Sequence, residues 1–283
     1  MTTADSYDAV VIGGGHNGLV AAAYLARAVW SVAVLARNAA VGGAVASGET
    51  TVPGFTHDLY STNQNLFLGS LAYADFAPVL ARHGLRFRTT DRPYANAFPD
   101  GLSVRVCSDY ERTLGQLAAH DAGDAEGFAG PYRQYQQYAP YLFGVYGSPV
   151  PSGAAARQVP ELLRHHGVRG ATELVHTLLM STRELGGTWF VTREARAMAA
   201  CWGMHLDFGP DVARGAMFPL LEMFADMENG MSVVEGGAQR LPSALAAVLA
   251  EQGGEVRTGA EVDRVLCRAA GPSVCAAPPA AAR

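Results

Sequence analysis

The stretch YDAVVIGGGHNGLVAAAYLARAVWSVAVL confines the start of this chain to one local architecture. An apolar run, Ala9 to Ile12, meets Gly13, Gly15 and Gly18 in the spacing G-x-G-x-x-G. A helical pattern and a second apolar run, Val32 to Leu35, follow. Between a strand and a helix each glycine has a use: Gly13 permits the tight turn, Gly15 lets the backbone approach a pyrophosphate, and Gly18 lets the helix close on the sheet. The helix N-terminus then offers unpaired N–H groups and a positive dipole end to an anion. His16 and Asn17 lie inside the triplet and are counted with the cofactor-binding residues, although His16 also reads as a structural residue. A second glycine pair, Gly42-Gly43, comes shortly after.

Two positions depart from what such a unit needs. A ribose usually meets an acidic residue at the end of the second strand, and that place holds Ala36. A carboxylate there makes a charge-assisted hydrogen bond worth about 1.5–3 kcal/mol, so its loss weakens a ligand by about one to two powers of ten. Arg37 follows directly and suits a 2′-phosphate. Val29 stands where a left-handed glycine commonly ends the helix, and a β-branched residue forced left-handed costs about 1–2 kcal/mol.

With 283 residues, 49% hydrophobic and 17% charged, the chain can bury a sizeable core. Its net charge of -5 argues against a nucleic-acid partner. All 21 basic residues are arginine, which excludes a lysine Schiff base or a phosphate-loop lysine. Cys107, Cys201, Cys267 and Cys275 form no C-x-x-C pair, so they read as free thiols of a reducing compartment, and a cytoplasmic location is expected. The N-terminus reads as no secretory signal, and no apolar run approaches the roughly 18 residues of a membrane span.

The pattern predicts a helix from Leu71 to His83 and strands near Phe87, Tyr94–Phe98 and Leu102–Cys107, with a hairpin turn at Asp100-Gly101. Helices fill about Asp109 to Met227, with capping boxes expected at Ser108/Glu111 and Ser181/Glu184 and breaks at Ser148–Pro151 and Gly209-Pro210. A glycine turn at Gly236-Gly237 then leads into a helix with Leu241, Leu245, Val248 and Leu249 on one face. Strands are expected at Glu255–Arg257 and Val262–Leu266. Residues 1–90 with 231–266 thus read as one discontinuous α/β nucleotide-binding domain. Residues 91–230 form a mainly helical insertion, and 267–283 a disordered tail.

GGGHNGLVAAAYLA, VGGAVASGETTVPGFTHDLYS and VVEGGAQRLPSALAAVLAEQGGEVRTGAEVDRVL together resemble the phytoene (carotenoid) desaturase-like flavoproteins of the amine-oxidase superfold. Within them the sequence is most similar to the branch that contains pyridine nucleotide-disulfide oxidoreductase domain-containing protein 2. The resemblance implies a Rossmann-like FAD-binding domain interrupted by a largely helical substrate or lid region. It implies that Gly13, Gly15 and Gly18 cradle the pyrophosphate, that Gly42 and Gly43 pass the flavin side, and that Val262 meets the adenine through its backbone. Ala36 and Val29 are departures from the family pattern. Relatives continue for roughly as many residues again, so the C-terminal half of the family fold is expected to be missing after Leu266.

The expected chemistry is hydride transfer from an apolar substrate C–H to flavin N5. The stripe Tyr132, Tyr135, Tyr138 and Tyr141 could line an apolar tunnel, contact a membrane peripherally, or simply pack. His205 and Asp207 are the acid/base pair to inspect. Two other readings stay open: a non-catalytic remnant or interaction module, and an NADP-binding dehydrogenase through Arg37.

Overall fold

The computed structural model describes residues 6–204 and 209–266. In chain order the elements are β1 (Ala9–Ile12), α1 (His16–Arg27), β2 (Val32–Leu35), β3 (Ser47–Gly48), β4 (His57–Asp58), α2 (Asn65–Leu68), α3 (Leu71–Arg82), β5 (Phe87–Thr90), β6 (Tyr94–Ala97) and β7 (Ser103–Val106). There follow α4 (Tyr110–His120), α5 (Ala122–Tyr146), α6 (Gly153–Leu179), α7 (Thr182–Trp189), α8 (Arg193–Gly203), α9 (Met217–Asn229), β8 (Met231–Val234), α10 (Arg240–Glu251) and β9 (Glu255–Arg257). They gather into two compact units: residues up to Arg88 with those from Ser232 on, and Thr89–Met231.

The first unit is built on the parallel sheet β1-β2-β9, with Ala9 opposite Val32 and Ala33 opposite Glu255. Parallel neighbours need a crossover, and α1 supplies it between β1 and β2. The α1 residues Leu19, Ala22 and Ala23 are buried with Leu241, Leu245, Val248 and Leu249 of α10, in one core with Val34, Phe76 and Leu80. Alanines at 22, 23 and 26 let α10 lie close against α1.

Three helices of this unit end in the same way. After α3, the Gly84 N–H reaches the Ala81 carbonyl and the Leu85 N–H the Leu80 carbonyl; after α10, Gly253 and Gly254 do the same with Ala250 and Leu249. These are Schellman ends, with glycine left-handed at φ 82° in both. At the end of α1, Val29 N–H bonds the Ala26 carbonyl and Trp30 N–H the Leu25 carbonyl, with Val29 at φ 67°. Val29 is 91% exposed, so no packing offsets its left-handed conformation.

Among its described residues the second unit is mainly helical and carries the antiparallel hairpin β6-β7, whose turn holds Gly101 at φ 86°. Side chains of Asp109, Asp121, Ser152, Ser181 and Thr192 each accept a backbone N–H at a helix start. The box at Ser181/Glu184 forms; the one expected at Ser108/Glu111 does not, because Asp109 takes the cap and accepts from Arg112 N–H. Phe224 of α9 is ringed by Phe128, Tyr132, Tyr135 and Trp189 at 5.3–6.2 Å between centroids. Buried Asp124 accepts from the Val191 N–H at 2.7 Å and from the Thr192 hydroxyl, which locks the α7–α8 turn onto α5.

Tyr135 and Tyr138 are buried, and the Tyr132 and Tyr135 hydroxyls both donate to Glu228. Tyr132 and Tyr135 are therefore core packing, whereas Tyr138 also lines a cavity of about 490 Å³ in this unit and Tyr141 bonds His165. Residues 261–265 form no strand, and of residues 261–266 only Leu266 makes a bridge. His205, Asp207, Cys267, Cys275 and the tail expected from 267 on lie outside the described residues.

One carboxyl of the second unit is displaced far from its ordinary range. Glu222 stands one helical turn before buried Asp226 on α9. Burial first, then the nearby Asp226 charge, push its carboxyl up to about 7 from an ordinary 4.5. A carboxyl raised on folding stabilises the fold fully below its unfolded value, and that contribution is lost as pH rises to the folded value. Denaturant melts should therefore show the wild type losing stability relative to Glu222→Gln between pH 4.5 and 7, and parallel pH profiles would contradict this. In the first unit, Val29→Gly should raise stability by about 0.5–1 kcal/mol, the relief of left-handed strain less the entropy of an added glycine. A thermal melt with no gain would contradict it.

Candidate functional site

The glycine turn after β1 is pinned from two sides. The Gly13 N–H donates to the Leu35 carbonyl at the end of β2, at 2.8 Å, with Gly13 at φ 103°. The Gly42 N–H donates to the Gly14 carbonyl at 2.7 Å, and Gly15 and Gly42 form a parallel bridge. The two glycine clusters, far apart in sequence, are thus one backbone surface.

What a side chain would meet there separates the roles of the glycines. A Cβ on Gly18 would stand 2.5 Å from the Gly13 carbonyl oxygen, so only glycine lets α1 close on the turn. One on Gly14 would stand 2.8 Å from the Ala36 Cβ. One on Gly15 would meet nothing within 4 Å: the space over Gly15 is open to a ligand. Gly15 is also the N-cap of α1, with no side-chain cap and no acidic residue in the first turn. The first-turn N–H groups therefore face that space without partners.

A second layer holds the Gly42-Gly43 loop. The Gln239 side chain donates to the Val41 carbonyl at 2.7 Å, and the Ser47 hydroxyl accepts from the Gln239 N–H at 3.0 Å. Asp58 accepts from the Ser47 hydroxyl at 2.8 Å and from the Ala238 N–H at 2.7 Å. The later glycine turn, Gly236-Gly237, is in this way tied to the first.

The surfaces enclose a cavity of about 280 Å³. Of the residues singled out in the sequence, Gly13, Gly15, Arg37, Gly43 and Val262 line it. Gly42 sits behind Gly43 as a strut, and Gly18 lies beneath the turn. His16 and Asn17 are on the first turn of α1 outside the lining. Burial pushes the His16 imidazole pKa down, so it adds no positive charge at neutral pH. The sequence reading missed Glu261, which lines the cavity from the loop after β9, and Asp58, whose support role needs three separate segments to be visible.

The cavity is slightly below the roughly 300–1,000 Å³ usual for small-ligand sites, room for part of a dinucleotide. An open Gly15 face over unpaired helix N–H groups fits a pyrophosphate. Position 36 offers no carboxylate. Among the described residues no group of His, Cys, Asp and Glu is placed to hold a metal. No helix among them is long and apolar enough to cross a membrane.

Known proteins share this arrangement of sequence and fold. Residues 18–278 match the family described as flavin-containing amine oxidoreductase. A limonene dehydrogenase polypeptide of Castellaniella defragrans is 30% identical over 94% of this chain and 47% of its own length. Pyridine nucleotide-disulfide oxidoreductase domain-containing protein 2 of Rattus norvegicus is 26% identical over 94% of this chain and 49% of its own. The phytoene desaturase of Cercospora nicotianae is 26% identical over 91% and 40%. The structure of wild-type putrescine oxidase bound to putrescine superposes with a TM-score of 0.51 at 17% identity, over 89% of this chain and 51% of that one, and shows the shared fold. The chain spans about half the length of these relatives. The resemblance drawn from the glycine segments is borne out: the chain belongs to the flavin-containing amine oxidoreductase family.

Proposed function

We propose that this chain provides FAD binding to an oxidoreductase of the dehydrogenase or desaturase type, with an apolar molecule as substrate. The observation that carries the reading is the open face over Gly15, bounded by Gly13, Gly43 and the unpaired first turn of α1. It is an unoccluded backbone surface in a family defined by its flavin. In this reading the unit containing β1, β2 and β9 is the FAD-binding domain, and the unit Thr89–Met231 is the substrate or lid domain.

Bound FAD supplies hydride acceptance at flavin N5. This chain's residues do the holding. Gly13, Gly15 and the first-turn N–H groups of α1, at His16, Asn17 and Gly18, meet the pyrophosphate. Gly42 and Gly43 keep the loop close enough for the dinucleotide to pass, and Val262 meets the adenine through its backbone. An apolar substrate is supported by two relatives named for limonene and phytoene, both hydrocarbons. A cytoplasmic location is supported by Cys107 and Cys201, both free thiols. Arg37, on the cavity wall beside Ala36, favours a second reading in which the ligand carries a 2′-phosphate.

Two measurements test the proposal. Titration of the purified chain with FAD, followed by flavin fluorescence and the visible spectrum, should show saturable binding that NADP does not displace. Absence of FAD binding, or thermal protection by NADP alone, would overturn it. Gly15→Ala adds a Cβ into the open face at a backbone conformation alanine tolerates, φ -70°. The variant should melt as the wild type does while binding FAD at least about tenfold more weakly, a change of about 1.4 kcal/mol. Unchanged affinity would count against the cradle.

A further inference from the structure

The cavity wall that lacks a carboxylate at position 36 gains one from another element. The backbone after β9 runs beside the backbone after β2. The Ala36 N–H donates to the Arg257 carbonyl at 2.8 Å, the Ala260 N–H to the Ala36 carbonyl at 2.9 Å, and the Gly259 N–H to the Asn38 carbonyl at 3.0 Å. These three bonds hold residues 259–261 directly against residues 36–38. Glu261 follows the last of them and lines the same cavity as Ala36 and Arg37. Ala36 is 4% exposed and packed against Gly14, so position 36 itself carries only a methyl group to the wall.

We propose that Glu261 is the ribose-binding carboxylate of this site, replacing the one absent at position 36. The inference rests on the reading that a nucleotide occupies the cavity. A carboxylate at this wall accepts hydrogen bonds from the 2′- and 3′-hydroxyls of an adenosine ribose, and such bonds are strong because one partner is charged. The same negative charge opposes a 2′-phosphate, against the pull of Arg37. Glu261 thereby selects an unphosphorylated ribose, and with Glu261 removed Arg37 is left to attract the phosphorylated one.

The geometry also accounts for how the chain can lack an acidic residue at the end of β2. The acceptor has moved from one strand end to the loop of the neighbouring strand, and the backbone bonds between Ala36 and Ala260 keep the two positions side by side.

The test uses the full chain with FAD, ADP, 2′-deoxy-ADP and adenosine 2′,5′-bisphosphate, with dissociation constants from calorimetry and protection from thermal unfolding. The wild type should bind ADP about tenfold or more tightly than 2′-deoxy-ADP. Glu261→Gln should weaken FAD and ADP by about 10- to 100-fold, lose the discrimination against 2′-deoxy-ADP, and bind adenosine 2′,5′-bisphosphate better than the wild type does, at tenfold per 1.4 kcal/mol. Ala36→Glu in the Glu261→Gln background should restore much of the lost ADP affinity, a rescue that a merely structural role of Glu261 would not allow. If the wild type binds ADP and FAD but Glu261→Gln binds them equally well, or if 2′-deoxy-ADP binds the wild type as ADP does, the assignment of Glu261 is overturned and the cofactor reading stands. If the wild type binds none of these nucleotides, both fall.

Discussion

The hydrogen bond from the Gly42 N–H to the Gly14 carbonyl joins two glycine clusters that the sequence separates. Everything at the site depends on that closeness. It requires backbone without side chains on both partners, since a Cβ on Gly42 would stand 2.4 Å from the Val45 carbonyl oxygen and one on Gly14 2.8 Å from the Ala36 Cβ. It also requires α1 to sit tight under the turn, which Gly18 permits. Gln239, Ser47 and Asp58 then keep the loop in place from the far side. The result is a rigid rim around an open face, and rigidity is what lets a helix N-terminus bind an anion without first ordering itself.

Most of the first unit was legible in the sequence because its signals are local. The apolar runs at 9–12 and 32–35, the triplet glycines and the α10 stripe at Leu241, Leu245, Val248 and Leu249 all fell where periodicity put them. Val29 was legible too: its position relative to the helix predicted a left-handed residue, and the backbone adopts φ 67° there. What was not legible depends on contact between distant segments. The expected strand at Val262–Leu266 has a suitable composition, yet residues 261–265 pair with no strand among the described residues. Asp109 displaces Ser108 as a cap because both residue types can accept the N–H, and only the path of the chain decides. Asp58 and Glu261 acquire meaning only when the chain after α9 returns to the turn after β1.

The second unit shows the opposite balance. Its aromatic stripe carries no signal that separates a tunnel wall from a core, and the structure divides it: Phe224 gathers Tyr132, Tyr135 and Trp189 into one packed cluster, while Tyr138 lines a cavity. Glu222 is a carboxyl pushed up to about 7 by burial within an apolar run. Sequence places Glu222 one turn from Asp226, but only the packed helix shows that the carboxyl is buried.

If one backbone surface, made by the two glycine clusters, holds a flavin dinucleotide, ligand contact must register in the backbone amides of both clusters at once. Amide hydrogen exchange across the whole chain, with and without FAD, reads those amides individually. Exchange should slow at residues 13–18, 42–43 and 260–262, while the amides of Thr89–Met231 change far less. Slowing confined to Thr89–Met231, or no slowing at the glycine turns under saturating FAD, would contradict a shared flavin-binding surface.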